Sequence, residues 1–155
     1  MQTHKLWING RWADSQGSSR MPVENPVTGE IIAEVVDATP ADVDRAVQAA
    51  KTAFYDSAWT AMTPADRSKL LWRLADLLEA HQGEIARTES ENTGKPYHAV
   101  SRGDVDFSVD NLRFFSGAAR DIHGYMSGEY APGHTTIYSR EPVGVVGQIA
   151  PWNFP

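Results

Sequence analysis

An α/β fold is what this sequence predicts, and three observations carry that reading. Leu6-Trp7-Ile8 and Arg11-Trp12-Ala13 flank Asn9-Gly10, the two-residue turn of a β-hairpin. Three stretches between Thr39 and Ile122 repeat apolar residues at helical spacing, two of them behind recognisable helix starts. At the far end, Val143-Gly144-Val145-Val146-Gly147-Gln148-Ile149 runs through Ala150 into Pro151-Trp152-Asn153-Phe154-Pro155. A β-branched run ending in such a corner reads as the exit of a buried parallel strand, where open α/β sheets present polar side chains.

Taken in order, Asn9-Gly10 supplies the two positive-φ positions of a type I′ turn, whose twist suits paired strands. Residues 14–20 form a polar Ser/Gly-rich loop, and residues 21–24 are extended. Asn25-Pro26-Val27-Thr28-Gly29 turns the chain into a strand over residues 30–36. Thr39-Pro40-Ala41-Asp42 then starts a helix. The hydroxyl caps, the proline sits where a missing N–H costs nothing, and the acid complements the helix dipole. Val43, Ala46, Val47, Ala50, Ala53 and Phe54 give it one apolar stripe.

Thr63-Pro64-Ala65-Asp66 repeats the start signal, and Leu70, Leu71, Leu74, Leu77 and Leu78 predict a second buried stripe. The helical pattern resumes after Gly83 and stops at Asn92-Thr93-Gly94-Lys95-Pro96, a glycine-then-proline ending. A third long helix is expected over residues 100–122, with Val105, Val109, Leu112, Phe115, Ala119 and Ile122 facing inward. Residues 125–133, rich in Gly, Pro and Tyr, read as a loop. Residues 134–140 and 143–149 read as strands.

Bulk properties bound the function. The chain has 155 residues, 41% hydrophobic and 22% charged, enough for one domain with a core. No run approaches the roughly 18 apolar residues of a membrane span, and the N-terminus lacks the pattern of a signal peptide. A cytoplasmic location is the default expectation. The net charge of −6 argues against nucleic acid as the main partner. Without cysteine there is no disulfide, thiolate metal site or thiol nucleophile in these residues. His4, His81, His98, His123 and His134 show no metal-binding spacing, so no metal is expected.

The motif set resembles the aldehyde dehydrogenase superfamily. The matching pieces, in the family's order, are Trp7-Ile8-Asn9-Gly10, Asn25-Pro26-Val27-Thr28-Gly29-Glu30, Thr93-Gly94-Lys95-Pro96 and Arg113-Phe114-Phe115-Ser116-Gly117. Glu141-Pro142-Val143-Gly144-Val145-Val146 and Pro151-Trp152-Asn153-Phe154-Pro155 close the set. Within the superfamily, Leu112 to Arg120, Gly128-Glu129-Tyr130 and Gly133-His134-Thr135 look most similar to γ-aminobutyraldehyde and betaine-aldehyde dehydrogenases.

The resemblance implies an N-terminal portion of that fold: hairpin and oligomerisation strands, three long helices and the first strand of a Rossmann-like sheet. It divides the chain into residues 1–122 (strands and the helical part of a cofactor-binding domain), 123–140 (loop and the Tyr138-bearing oligomerisation strand) and 141–155 (first Rossmann-like strand and active-site corner). The implied activity is NAD(P)-dependent oxidation of small aldehydes, omega-amino aldehydes among them, through a cysteine thiohemiacetal. NAD is the implied cofactor, with NADP as the alternative, and the full-length form is implied to be a homodimer or homotetramer.

The same resemblance assigns Asn153 as the amide donor to the oxyanion. Taken alone, Asn153 reads first as a turn residue bonding its own backbone, and the flanking motif reverses that preference. Ile149, Ala150, Pro151 and Trp152 are implied to lie along the dinucleotide; no Gly-x-Gly-x-x-Gly is present. Phe154, Phe107 and Asp104 are implied to face the aldehyde tunnel. Asp104 has a bland alternative as a solvated helix face, and Asp110 with Arg113 reads as a surface ion pair. The implied nucleophilic cysteine and water-activating glutamate fall outside these residues, so the chain is expected to be a front piece, inactive by itself. The alternative reading is a non-catalytic truncated product that associates with full-length subunits. The helices are expected to pack on one another, leaving unpaired, aggregation-prone strand edges.

Overall fold

The structure, a computed structural model, describes residues 2–56 and 58–151. Local signals hold where expected. Asn9 (φ 54°) and Gly10 (φ 73°) turn β2 (Leu6–Ile8) into β3 (Arg11–Ala13). Trp7 stands directly opposite Trp12, their rings edge-on with centroids 4.9 Å apart. A separate sheet has the order β1-β5-β4, with β1 (Gln2–His4) parallel and β4 (Arg20–Glu24) antiparallel to β5 (Ile31–Val36). The β4–β5 turn is tied by the Asn25 side-chain oxygen, which accepts the Val27 N–H at 2.9 Å.

Helix α1 (Pro40–Asp56) opens with a reciprocal cap: the Thr39 hydroxyl accepts the Asp42 N–H at 3.3 Å, and the Asp42 carboxylate accepts the Thr39 N–H at 2.9 Å. After the short α2 (Ala58–Ala61), α3 (Pro64–Ala80) is capped likewise by Thr63, which accepts the Asp66 N–H at 3.2 Å. Helix α4 (Gln82–Thr93) ends on Gly94 at φ 76°, its N–H bonded to the Ser90 carbonyl. The chain continues through α5 (Tyr97–Ala99), a π-helical segment (Val100–Val105) and α6 (Asp106–Ala118).

The core lies among these last elements. Ala75, Ala86, Val100, Val105 and Val109 are buried, with Leu78, Ile85 and Leu112 packed against them. Helices α3 and α6 run antiparallel and close together. The Ser68 and Ser116 hydroxyls meet at 3.1 Å near one end, and Arg113 reaches Asp76 and Glu79 further along.

Several expectations need correction. The third long helix begins at Tyr97, changes to π geometry over Val100–Val105 and stops at Ala118, so Ile122 lies outside it and exposed. Phe115 also points outward. On α3 the fully buried position is Ala75, while Leu70, Leu74 and Leu77 are exposed. Close approach of α6 selects the small face of α3, and nothing among the described residues covers the leucine face. Helix α1 packs on α2 and touches β2 rather than joining the other helices, so Val43 is exposed.

Residues 125–133 are no loop: β6 (Tyr125–Ala131) pairs antiparallel with β7 (His134–Tyr138), bulging at Ser127/Glu129 and Glu129/Ala131. The bulges absorb the glycine-containing stretch that suggested a loop. Residues 143–149 form no strand, because no neighbouring chain segment offers them a ladder; Val143 is 95% exposed.

Candidate functional site

Two places hold the residues singled out by sequence. The first is the segment ending at the Pro-Trp-Asn-Phe-Pro corner. Asn153, Trp152 and Phe154 lie outside the described residues. Ile149 is 91% exposed, and Ala150 and Pro151 are exposed beside it. Their side chains stand open, and no glycine-rich phosphate cradle is part of this stretch.

The second place is the junction of the π-segment and α6. Asp104 lies in the last turn of the π-segment and Phe107 in the first turn of α6, three residues on. Phe107 is 70% exposed. The Asp104 carboxylate is not a free solvated group: Lys95 Nζ sits 3.1 Å from it and 3.4 Å from Glu89. Lys95 reaches this position because Gly94 ends α4 in the left-handed conformation and Ser90 Oγ donates to the Lys95 carbonyl at 2.6 Å. Partial burial pulls the Lys95 ammonium down, but the hydrogen bonds and charges of Asp104 and then Glu89 outweigh it and hold its pKa above the usual value.

The π-segment gives this corner its shape. Gln82, at the start of α4, donates to the Ser101 carbonyl at 2.8 Å and also to the Asp106 carboxylate. Val100, Ser101 and Val105 turn inward and Phe107 is exposed, while Asp104 stays partly covered by Lys95. A cavity of about 160 Å³ lies beneath, bounded by Leu78, Val100, Asp104 and Ser108 among others. A π-turn inside an α-helix is a frequent mark of a functional position. Among the described residues, no hydrogen bond or ion pair links Asp104 or Phe107 to residues 149–151, and no metal-binding cluster is present.

Sequence reasoning missed the Lys95 triad, the Gln82 bridge and the partners of Arg113. Arg113 pairs with Glu79 at 2.6 Å and Asp76 at 3.1 Å across to α3, not with Asp110. These contacts join elements distant in sequence, so the spacing rule for one helix could not find them.

Two of the motif pieces meet in space: a Cβ on Gly94 would sit 3.0 Å from Pro26 Cγ, so the glycine after α4 is moulded to the Asn25–Gly29 turn. The profile of the aldehyde dehydrogenase family matches residues 12–155. The chain belongs to the aldehyde dehydrogenase family. Retinal dehydrogenase 2 of Homo sapiens is 42% identical over 155 residues, a match covering 97% of this chain and 29% of that protein. The mitochondrial benzaldehyde dehydrogenase of Antirrhinum majus is 39% identical, over 100% of this chain and 29% of its own length.

Among solved structures, the NAD+ complex of an aldehyde dehydrogenase from Bacillus cereus superposes with a TM-score of 0.93 at 38% identity, covering 99% of this chain and 31% of that one. A betaine aldehyde dehydrogenase from Staphylococcus aureus, in complex with NAD+, gives 0.91 at 34% identity, covering 98% and 30%. The chain thus spans between 29% and 31% of the length of these four relatives. It has the architecture of an N-terminal portion of the aldehyde dehydrogenase fold.

Proposed function

We propose that this chain contributes the oxyanion donor, one cofactor wall and part of the aldehyde tunnel of an NAD-dependent dehydrogenase. Its substrates are small aldehydes, omega-amino aldehydes included, and its products are carboxylic acids. The observation that carries the reading is the family match over residues 12–155, joined to a TM-score of 0.93 against an NAD+-bound relative. NAD, when bound, accepts the hydride leaving the aldehyde carbon; NADP is the alternative cofactor.

The roles of the residues follow from their chemistry. The apolar side chains and backbone of Ile149, Ala150, Pro151 and Trp152 lie along the dinucleotide and exclude water from it. The Asn153 side-chain N–H donates to the oxyanion that forms when a nucleophile adds to the carbonyl. A neutral, fixed donor is suited to charge that appears only during the reaction. Phe107 and Phe154 flank the aldehyde, and Asp104 stands at the tunnel mouth. Lys95 pairs with the Asp104 carboxylate and is shared with Glu89, and preference for a cationic substrate tail rests on the motif likeness to aminoaldehyde enzymes. The β6–β7 ribbon and the β2–β3 hairpin serve subunit association. No cysteine is present to attack an aldehyde, so these 155 residues alone form no acyl-enzyme.

A chimera tests this, with the chain replacing the matching segment of the Bacillus cereus aldehyde dehydrogenase. NADH formation from propanal and 4-aminobutanal is followed at saturating NAD. The chimera is expected to turn over, and the 155-residue chain alone is not. Asn153→Ala in the chimera is expected to lower kcat about 10²–10³-fold with NAD affinity unchanged. Turnover by the isolated chain, or a chimera indifferent to Asn153→Ala, overturns the reading.

A further inference from the structure

The π-segment sets the direction in which α6 presents its side chains. Val100 and Val105 stand five positions apart, and both are buried. In an unbroken α-helix a residue five places on lies roughly 140° further round the axis, so one of the two would leave the core. Hydrogen bonds spanning five residues instead stack such a pair one above the other. The helix takes that geometry over Val100–Val105 and then returns to α spacing, with Val109 four residues on and buried too. One residue of phase is thereby inserted between Ala99 and Asp106. Phe107, with the rest of α6, is turned by roughly 100° from where an unbroken helix would carry it.

Both flanks of the turn are fixed. Val100 shares the buried cluster with Ala86 of α4, and α6 is tied to α3 through Arg113. The change of phase has to be held between those flanks, and one side chain spans it. The Gln82 amide nitrogen carries two hydrogens. It donates to the Ser101 carbonyl at 2.8 Å, near the start of the turn, and to the Asp106 carboxylate just past its end. Ser101 is buried, so without Gln82 its carbonyl loses a donor where water has little access.

We propose that Gln82 is a positioning residue of the aldehyde site: it holds the π-turn by its two ends and so fixes the direction in which Phe107 meets the substrate. The proposal rests on the reading above that Phe107 flanks the aldehyde. It goes beyond that reading by placing a determinant of aldehyde selectivity on a residue that touches no substrate.

Hydrogen exchange on the 155-residue chain tests the hold on the turn. In Gln82→Ala the amides of residues 101–107 are expected to exchange at least about tenfold faster, with those of residues 109–118 unchanged. Selectivity tests the consequence. In the chimera described above, kcat/KM is measured for propanal and hexanal at saturating NAD. Gln82→Ala is expected to lower the hexanal-to-propanal ratio about tenfold, with the KM for NAD within about twofold of its original value. A merely structural loss would scale both aldehydes alike. Gln82→Lys supplies donors to the same two oxygens and is expected to bring the ratio back to within about threefold. Gln82→Glu keeps the size but, ionised, has no donor. It is expected to behave as the alanine variant does, and it decides should that variant fold poorly.

Phe107→Ala closes the cycle. It is expected to lower the ratio by itself, and Gln82→Ala on that background is expected to add less than about twofold. Unchanged exchange over residues 101–107, or full additivity of the two substitutions, overturns the proposal. A ratio indifferent to Phe107→Ala removes Phe107 from the tunnel and the positioning role with it, while faster exchange would leave Gln82 as a structural clamp only. A chimera without turnover sinks the proposed function instead, and exchange over residues 101–107 then decides for or against the hold of Gln82 on the turn.

Discussion

Asp42 is 1% exposed, yet it is surrounded entirely by donors. The Ser15 hydroxyl approaches at 2.7 Å, the Thr39 hydroxyl at 2.8 Å and the Arg45 guanidinium at 2.8 Å, beside the Thr39 and Gln16 N–H groups. The Thr39 N–H is the largest influence. With the two hydroxyls and the Gln16 N–H, it outweighs burial and holds the carboxyl well below the usual carboxylate range. A folded-state pKa below the unfolded one means stability that is present above the ordinary range and lost as pH falls through it. Asp42→Asn is therefore expected to lower the melting temperature at neutral pH, with the gap to the unmodified chain closing from about pH 5 downward. Thermal melts across pH check this; parallel curves for the two proteins would sink it. Residue-scale legibility follows the range of the contacts. Asn9-Gly10 was readable because its turn is local, whereas Ser15 reaches Asp42 across 27 positions and left no pattern. A glycine pair separates backbone from packing in the same way. Gly10 (φ 73°) stands in open space, and Gly94 (φ 76°) faces Pro26. Gly10→Ala is expected to cost about 1 kcal/mol and Gly94→Ala more, because the Pro26 ring must also shift. Equal urea midpoints for the two variants would contradict the moulded fit.

At the scale of elements, the helix starts were legible and their coverings were not. Thr39 and Thr63 each cap a helix three residues ahead of an aspartate, a signal complete within one turn. Periodicity on α3 declared an apolar face, but which side α6 would choose depended on the small residues Ser68, Ala75 and Ser116, whose close approach the leucines would prevent. The π-segment adds a wider turn over Val100–Val105, too short a change of period to register in the sequence. Residues 143–149 had the composition of a strand and lacked a partner to become one. The contrast between buried and open valines tests where the core truly lies. Val100 is fully buried and Val143 stands 95% exposed. Val100→Ala is expected to cost about 2–3 kcal/mol from lost transfer energy and the cavity left behind. Val143→Ala is expected to stay within about 0.5 kcal/mol. Urea titrations followed by far-UV circular dichroism measure both, and similar midpoints would place the core elsewhere.

For the whole molecule, stability is concentrated in one part. Helices α3, α4 and α6 with the π-segment hold the buried cluster, and the Arg113 pairs with Asp76 and Glu79 bind α6 to α3 along its length. The β6–β7 ribbon is two-stranded, with Met126 and Ile137 exposed. A two-stranded ribbon is at best marginal in water. Local opening is governed by how much apolar contact an element must break. Amides within residues 63–118 are therefore expected to be the most protected in hydrogen exchange, with those of residues 125–138 exchanging at least about 100-fold faster. Because the slope of a urea transition scales with the surface newly exposed, a chain already showing 11950 Å² is expected to unfold with a shallower slope than its length suggests. Protection over residues 125–138 equal to that of α3 would mean that the ribbon belongs to the same cooperative unit as the helical core.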